Sequence, residues 1–404
     1  MTASGSKADA SVEERIRDSA ESHRDAVEDY LLELVRTETP TENPETFDGF
    51  FNRLTEDLRD AGLETERIEG DETGGRLEAW TEGAEEADEV QLIVGHADTV
   101  WPLGTVDENP PEVRDDVLEG PGALDMKGGL TQAVFALRIL DELGLDPPLP
   151  VHVLFSSDEE VGSPESKPRI VELAGSANRV FVLEPASGPE GKIKVARKAV
   201  GHFTVTVEGK AAHAGLEPEE GASATEELGN VIHRLHDMTD VDSGVTVNVG
   251  EVEAGLRSNV VAPEARAEVD VRAPTEASAE EIEKEIRGVE ASTPGTRLSV
   301  EGGFGRPPME RTPGNRLLWE TVEETGERLG LSVEGTRSGG ASDGNDASQH
   351  APTVDGFGAV GDGAHQEFEY VDLDMLIDRV ALLGACLLNE PLPSDPGNET
   401  EGDP

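Results

Sequence analysis

Residues Leu92–Thr105 read LIVGHADTVWPLGT. An apolar run of strand length ends in Gly-His-Ala-Asp, and a Thr-Val-Trp-Pro loop follows. His96 and Asp98 lie two residues apart, so the strand period directs them to the same side. One explanation is packing at a sheet edge. The other is that the pair holds a ligand, because ligands in open α/β sheets collect beyond the carboxyl ends of the strands.

Helical periodicity covers Val12–Arg36 and Phe47–Leu63, the latter stopped by Gly62. GGLTQAVFALRILDELG, from Gly128, predicts an amphipathic helix between two buried strands, EVQLIVGH and PVHVLFSSDEE. RVFVLEP predicts another strand. Strands alternating with helices indicate a central, mostly parallel mixed sheet flanked by helices. After Glu184 the pattern changes to strict alternation. KAVGHFTVTVEG, a helix, VTVNVGEVEAG, EARAEVDVRAP, a second helix and TRLSVEGGFG make a split β-α-β, ferredoxin-like α+β unit. The expected organisation is an α/β domain over 12–195 and 307–390, an inserted domain over 196–306, and a flexible acidic tail over 391–404.

The chain of 404 residues carries 86 Asp+Glu against 33 Lys+Arg, a formal net charge of −53. Clustered cations for a nucleic-acid backbone or an anionic membrane are missing. Only 8 of the cations are Lys, and this composition resembles proteins of salt-loving microbes, where molar salt screens self-repulsion. Loosening at low salt is therefore expected. A single cysteine, Cys386, excludes an internal disulfide and suits a reducing cytoplasm. The first residues lack the apolar core of a secretory signal, and no apolar run is long enough to span a membrane.

Other strand ends carry metal-ligand side chains. GPGALDMKGG offers Asp125, SSDEEVGS offers Asp158, Glu159 and Glu160, FVLEPA offers Glu184, and GAVGDGAHQEF offers Asp362 and His365. Each is weak alone: a strand-end histidine is commonly structural, and DEE is commonly a solvated turn. Together, two histidines and several carboxylates suit zinc, cobalt or manganese. A Walker phosphate loop and a Gly-x-Ser-x-Gly nucleophile elbow are both missing. His152, His202, His233 and His236 read as structural or surface groups, and His23 and His350 as exposed ones.

These segments, with GKAAHAGLEPEEGASA, SNVVAPEARAEVDVR, GRPPMERTPGN and SGGASDGNDAS, resemble the dinuclear zinc peptidase and amidohydrolase family of glutamate carboxypeptidase, succinyl-diaminopimelate desuccinylase, acetylornithine deacetylase and aminoacylase. The glutamate carboxypeptidase branch is the most similar. The resemblance implies a zinc-peptidase-like catalytic domain with an inserted lid and dimerisation domain, in a homodimer acting on a small amide or peptide. It implies two divalent ions, zinc first, with cobalt or manganese as alternatives. His96 and Glu184 would hold one ion, Glu160 and His365 the other, and Asp125 both, with a cis peptide at Asp125–Met126. Glu159 would be the general base toward a metal-bridging hydroxide. Asp98 would orient His96, and His213 would stabilise the oxyanion, from across the interface in dimeric relatives. Arg272, Asn259, Arg306 and Gly339 (beside Ser338) would contact substrate. Arg272 could equally be a surface charge and Asp343 a helix cap. Three other functions compete with carboxypeptidase action: N-acyl amino acid deacylation, an aminopeptidase of related geometry, and a non-catalytic binding protein on the same fold.

Overall fold

The computed structural model describes residues 10–394, so residues 395–404 of the tail expected over 391–404 lie outside the described residues, whereas Leu392 is buried, donating its N–H to Asn178 Oδ1 at 2.8 Å and accepting from Asn178 Nδ2 at 3.0 Å. Two compact units emerge. The first takes in the chain up to Ala196, Arg311–Arg337 and the chain from Ser342 onward; the second comprises Arg197–Glu310 and Ser338–Ala341.

The first unit is built on a six-stranded mixed sheet in the order Glu64–Ile68, Arg76–Trp80, Val151–Ser156, Val90–His96, Ala177–Val182, Thr353–Val354. The last four strands run parallel, and the first two are antiparallel additions at one edge. Strand alternation sorts the core into two layers. Leu92, Val94, Leu154, Val180 and Val182 face one layer with Ile170 and Leu173 of the helix Lys167–Ala174. Ile93, Val153, Phe155 and Phe181 face the other, beneath the helices Phe47–Asp60, Gly128–Leu143 and Leu373–Leu387. The predicted Val12–Arg36 helix is two helices, Val12–Ser22 and Arg24–Arg36, interrupted at His23. His23 is half-buried rather than exposed, because its ring packs edge-on against Phe135 and its Nδ1 lies 2.8 Å from the Ser19 carbonyl.

The helix Gly128–Leu143 is buried on nearly every side. Its start depends on a glycine: a Cβ on Gly129 would sit 2.3 Å from the Leu183 carbonyl oxygen. This close approach brings the Asp125 loop to the strand end that carries Glu184. At the opposite sheet end, buried Arg179 donates to Gln91 Oε1 at 2.8 Å and to the carbonyls of Asn389 and Glu390, just past the last helix. A cation there complements the helix C-terminus. A small four-stranded sheet joins Glu112–Arg114 and Val117–Glu119 to Tyr370–Asp372 and Gly361–Asp362. It fixes the hairpin bearing His365.

The second unit is a four-stranded antiparallel sheet in the order Thr246–Ala254, Glu264–Ala273, Ala199–Glu208, Arg297–Arg306. Phe203, Val205, Val207, Val269 and Val271 form its core with Leu228, Val231, Ile282 and Ile286 of the helices Ala224–His236 and Glu276–Arg287. One face is covered and the other is wet, which is why these strands alternate.

Glu227, fully buried in this unit, accepts from the Ser292 main-chain N–H at 3.0 Å, the Thr293 N–H at 2.6 Å and the Ser292 hydroxyl at 2.9 Å. Arg234 also donates to it at 3.0 Å. Burial opposes its charge, but these donors prevail and lower its pKa to about 2. A depressed carboxylate contributes stability that is complete above the unfolded pKa and is lost as pH falls through the folded value. Glu227→Gln is expected to destabilise the protein by about 1.5–3 kcal/mol at pH 7. The difference from wild type should shrink as pH drops from the ordinary glutamate range toward 2 in urea-unfolding curves. A constant difference would show that the charge is irrelevant.

Candidate metal centre

His96 ends its strand fully buried, and its Nδ1–H donates to the main-chain carbonyl of Asp98 at 3.0 Å. That bond fixes the tautomer and leaves Nε2 facing Asp125 Oδ1 at 3.1 Å and Glu184 Oε1 at 3.4 Å. His365, at φ 62° on its hairpin and half exposed, places Nε2 3.3 Å from Asp125 Oδ2 and 3.3 Å from Glu160 Oε1. The two oxygens of Asp125 therefore face different histidines, and each histidine has its own glutamate. The Asp125–Met126 peptide is cis. Ligand atoms of Glu159, His96 and Glu184 lie within 4.8 Å of one another, as do those of His96, Asp125 and Glu160.

The donor set fits divalent cations. Ligand separations of 3.1–3.4 Å are the edges of a tetrahedron with arms of about 2.0–2.1 Å, the length of zinc–nitrogen and zinc–oxygen bonds. Glu160 Oε1 is buried and meets no donor in hydrogen-bond geometry. Five carboxylates, those of Asp98, Asp125, Glu159, Glu160 and Glu184, converge on two histidines, a negative excess that cations would balance. Burial disfavours a His96 imidazolium, yet Asp125, Asp98 and Glu184 hold its pKa well above the ordinary value. Asp125 and Glu160 likewise push His365 up to about 10. Burial raises Glu160, whereas the two histidines outweigh burial and lower Asp125.

Asp98 meets the His96 Nδ1 with both its carbonyl, at 3.0 Å, and its carboxylate, at 3.3 Å. Its carboxylate accepts from the main-chain N–H groups of Glu159 at 3.3 Å and Glu160 at 3.1 Å. Thr41 also donates to it at 2.9 Å. Asp98 thus fixes the backbone carrying both glutamates. Asp158 has a structural role, binding Ser166 Oγ and the main-chain N–H groups of Glu165 and Ser166. Asp343 accepts from Ser163 Oγ, and Asp362 accepts from the adjacent Gly363 N–H. Sequence reasoning missed Thr41, Lys127 and Glu369. Lys127 is buried, donates to the Thr37 carbonyl at 2.7 Å, and is pushed by burial down to about 7.

The other expected residues belong to the second unit. His213 is exposed on a loop, and Gly215 N–H donates to its Nδ1 at 3.2 Å. Asn259 is exposed, and its carbonyl accepts from Ala214 N–H. Arg272 directs Nε and Nη2 onto Asp270 at 2.9 and 2.8 Å, so its bidentate edge is already engaged and Nη1 is the remaining arm. Arg306 ends its strand buried, and Gly339 lies exposed with open space around it. Among the described residues, no helix is long and apolar enough to cross a membrane.

The chain is similar to several known proteins. The chain is 28% identical to carboxypeptidase G2 of a Pseudomonas species over 385 residues, covering 92% of this chain and 91% of that protein. It is 26% identical to the uncharacterized protein YqjE of Bacillus subtilis, covering 88% and 96%. Its fold matches the crystal structure of aminopeptidase PepT from Bacillus cereus at a TM-score of 0.76 and 23% identity, covering 90% of this chain and 98% of that one. It also matches an M20 family metallo-carboxypeptidase from Sulfolobus solfataricus at a TM-score of 0.68 and 18% identity, covering 89% and 98%. Residues 92–389 match peptidase family M20/M25/M40, the stretch that contains both histidines, Asp125 and all the converging glutamates, and the chain is a metallopeptidase-type hydrolase belonging to that family.

Proposed function

We propose that this hydrolase cleaves an amide bond to release an amino acid with a free α-carboxylate, acting as a carboxypeptidase on small peptides or N-acyl amino acids. The observation that carries the reading is Asp125, whose two oxygens address two histidines from opposite ends of the chain. The likeness to carboxypeptidase G2 over nearly the full length of both proteins supports the carboxypeptidase choice. His96 and Glu184 would hold one ion, His365 and Glu160 a second, and Asp125 both, with zinc as the first candidate and cobalt or manganese as alternatives. Such ions, when bound, supply an ionised nucleophile at neutral pH and polarise the scissile carbonyl.

Glu159 accepts the proton of the attacking water and passes it to the leaving amine nitrogen, one carboxylate serving as base and then acid. His213 donates its ring N–H to the developing oxyanion. Asn259, Arg306, the Gly339 loop and Arg272 receive the substrate, with a carboxylate competing against Asp270 for the guanidinium. The second unit supplies a dimer interface, supported by its outer strand Thr246–Ala254, which is unpaired along one edge and exposes Val252. The acidic composition and the single cysteine support a cytoplasmic protein adapted to high salt.

The test is mass-spectrometric hydrolysis in molar potassium chloride with added zinc or cobalt. The panel comprises N-acyl-glutamates, N-acetyl amino acids, succinyl-diaminopimelate, dipeptides and amide-blocked versions of each. Chelator-sensitive release of a C-terminal amino acid, lost when its carboxylate is blocked, is expected. Cleavage that requires a free amine and ignores the carboxylate would overturn the assignment in favour of an aminopeptidase. Turnover confined to acetyl or succinyl compounds would move it to deacylation.

A further inference from the structure

Glu369 lies four residues beyond His365 and is 1% exposed. Its Oε1 accepts from the main-chain N–H groups of Leu124 at 2.8 Å and Asp125 at 2.9 Å. Its Oε2 accepts from the Gly122 N–H at 2.8 Å and the Trp101 indole N–H at 3.1 Å. The Glu369 carbonyl takes the Gly120 N–H at 3.0 Å. The irregular Gly-rich loop offers these amides no regular ladder, and buried N–H groups left unpaired are costly. The strand Val117–Glu119, paired with Tyr370–Asp372, fixes the loop where it begins, and the Glu369 carboxylate fixes it where it reaches Asp125.

We propose that Glu369 is a positioning residue for the metal centre. It holds the Asp125 main chain so that Oδ1 meets His96 while Oδ2 meets His365. Through Trp101 it anchors the loop following the strand Val90–His96 to the same point. This inference rests on the two-metal reading of the site.

The arrangement requires a carboxylate. Each oxygen receives two N–H donors, so glutamine fails in either orientation: its NH2 group would face two donors with nothing to accept. Aspartate keeps the charge and both acceptors but withdraws them by about one bond length, 1.5 Å.

The experiment titrates metal-stripped wild type, Glu369→Gln and Glu369→Asp with Co2+, reading stoichiometry, affinity and the visible absorption spectrum, alongside melting of the stripped proteins. Glu369→Gln is expected to bind cobalt about 10–100-fold more weakly. Its absorption bands at saturation should be displaced, because the ligand field follows Asp125. Glu369→Asp should fold even if the glutamine variant does not, and should displace the bands with a smaller loss of affinity. A folded variant of either kind that binds two cobalt ions with wild-type affinity and spectrum would overturn the proposal. Wild type binding fewer than two ions would instead remove the two-metal reading, and the inference with it, before any variant is compared.

Discussion

Glu159→Ala is expected to keep both metal ions and lose turnover by roughly 10²–10⁴-fold. Five side chains already account for the paired contacts of the centre: His96, Glu184, Asp125, Glu160 and His365. Glu159 is the additional carboxylate near His96 and Glu184. Its main chain is fixed by Asp98, so removing its side chain leaves the backbone of Glu160 held. The measurement is kcat beside zinc content for wild type and variant. Loss of metal together with activity would make Glu159 a ligand. Full activity with full metal would remove it from the mechanism.

Asp125→Ala is expected to fail at an earlier step. Both halves of the centre share this carboxylate, so the variant should lose zinc stoichiometry and bring turnover below detection. In wild type, Asp125 and Glu160 push His365 up to about 10, so an entering ion must displace a proton there. Apparent zinc affinity should therefore rise with pH through the neutral range and on toward 10. In the metal-free protein the sign reverses. A raised histidine pKa contributes stability that is complete below the unfolded value and fades as pH climbs through the folded value. Melting curves of stripped wild type should thus weaken from neutral pH toward 10, and the Asp125→Ala variant should show less of this decline. Pro-rata zinc binding by Asp125→Ala would contradict the shared-ligand geometry.

Much of this was legible because strand alternation is a strong local signal. Leu92, Ile93 and Val94 could be assigned to a two-sided strand from composition, and the structure sends them to opposite layers. The ferredoxin-like unit was legible for the same reason. The short strands Glu112–Arg114, Val117–Glu119 and Gly361–Asp362 were not, since two or three residues carry no periodicity. The edge strand Glu64–Ile68, ETERI, was hidden by its charges. The break at His23 has no Gly or Pro to announce it. Metal-type side chains stood out because they cluster at strand ends, but their supports did not. Glu369 is one acid among 86 Asp+Glu, and only the four donors brought to it by distant segments distinguish it. For Asp98, proximity to His96 follows from the two-residue spacing, whereas its contacts with the Glu159 and Glu160 main chain and with Thr41 depend on how distant segments fold.

The most direct test of the centre is anomalous diffraction at the zinc edge from crystals grown with Zn2+. Two peaks are expected, one between His96 and Glu184 and one between His365 and Glu160, with Asp125 contributing one oxygen to each. A single peak, or two peaks that leave Asp125 unligated, would contradict the shared-ligand centre.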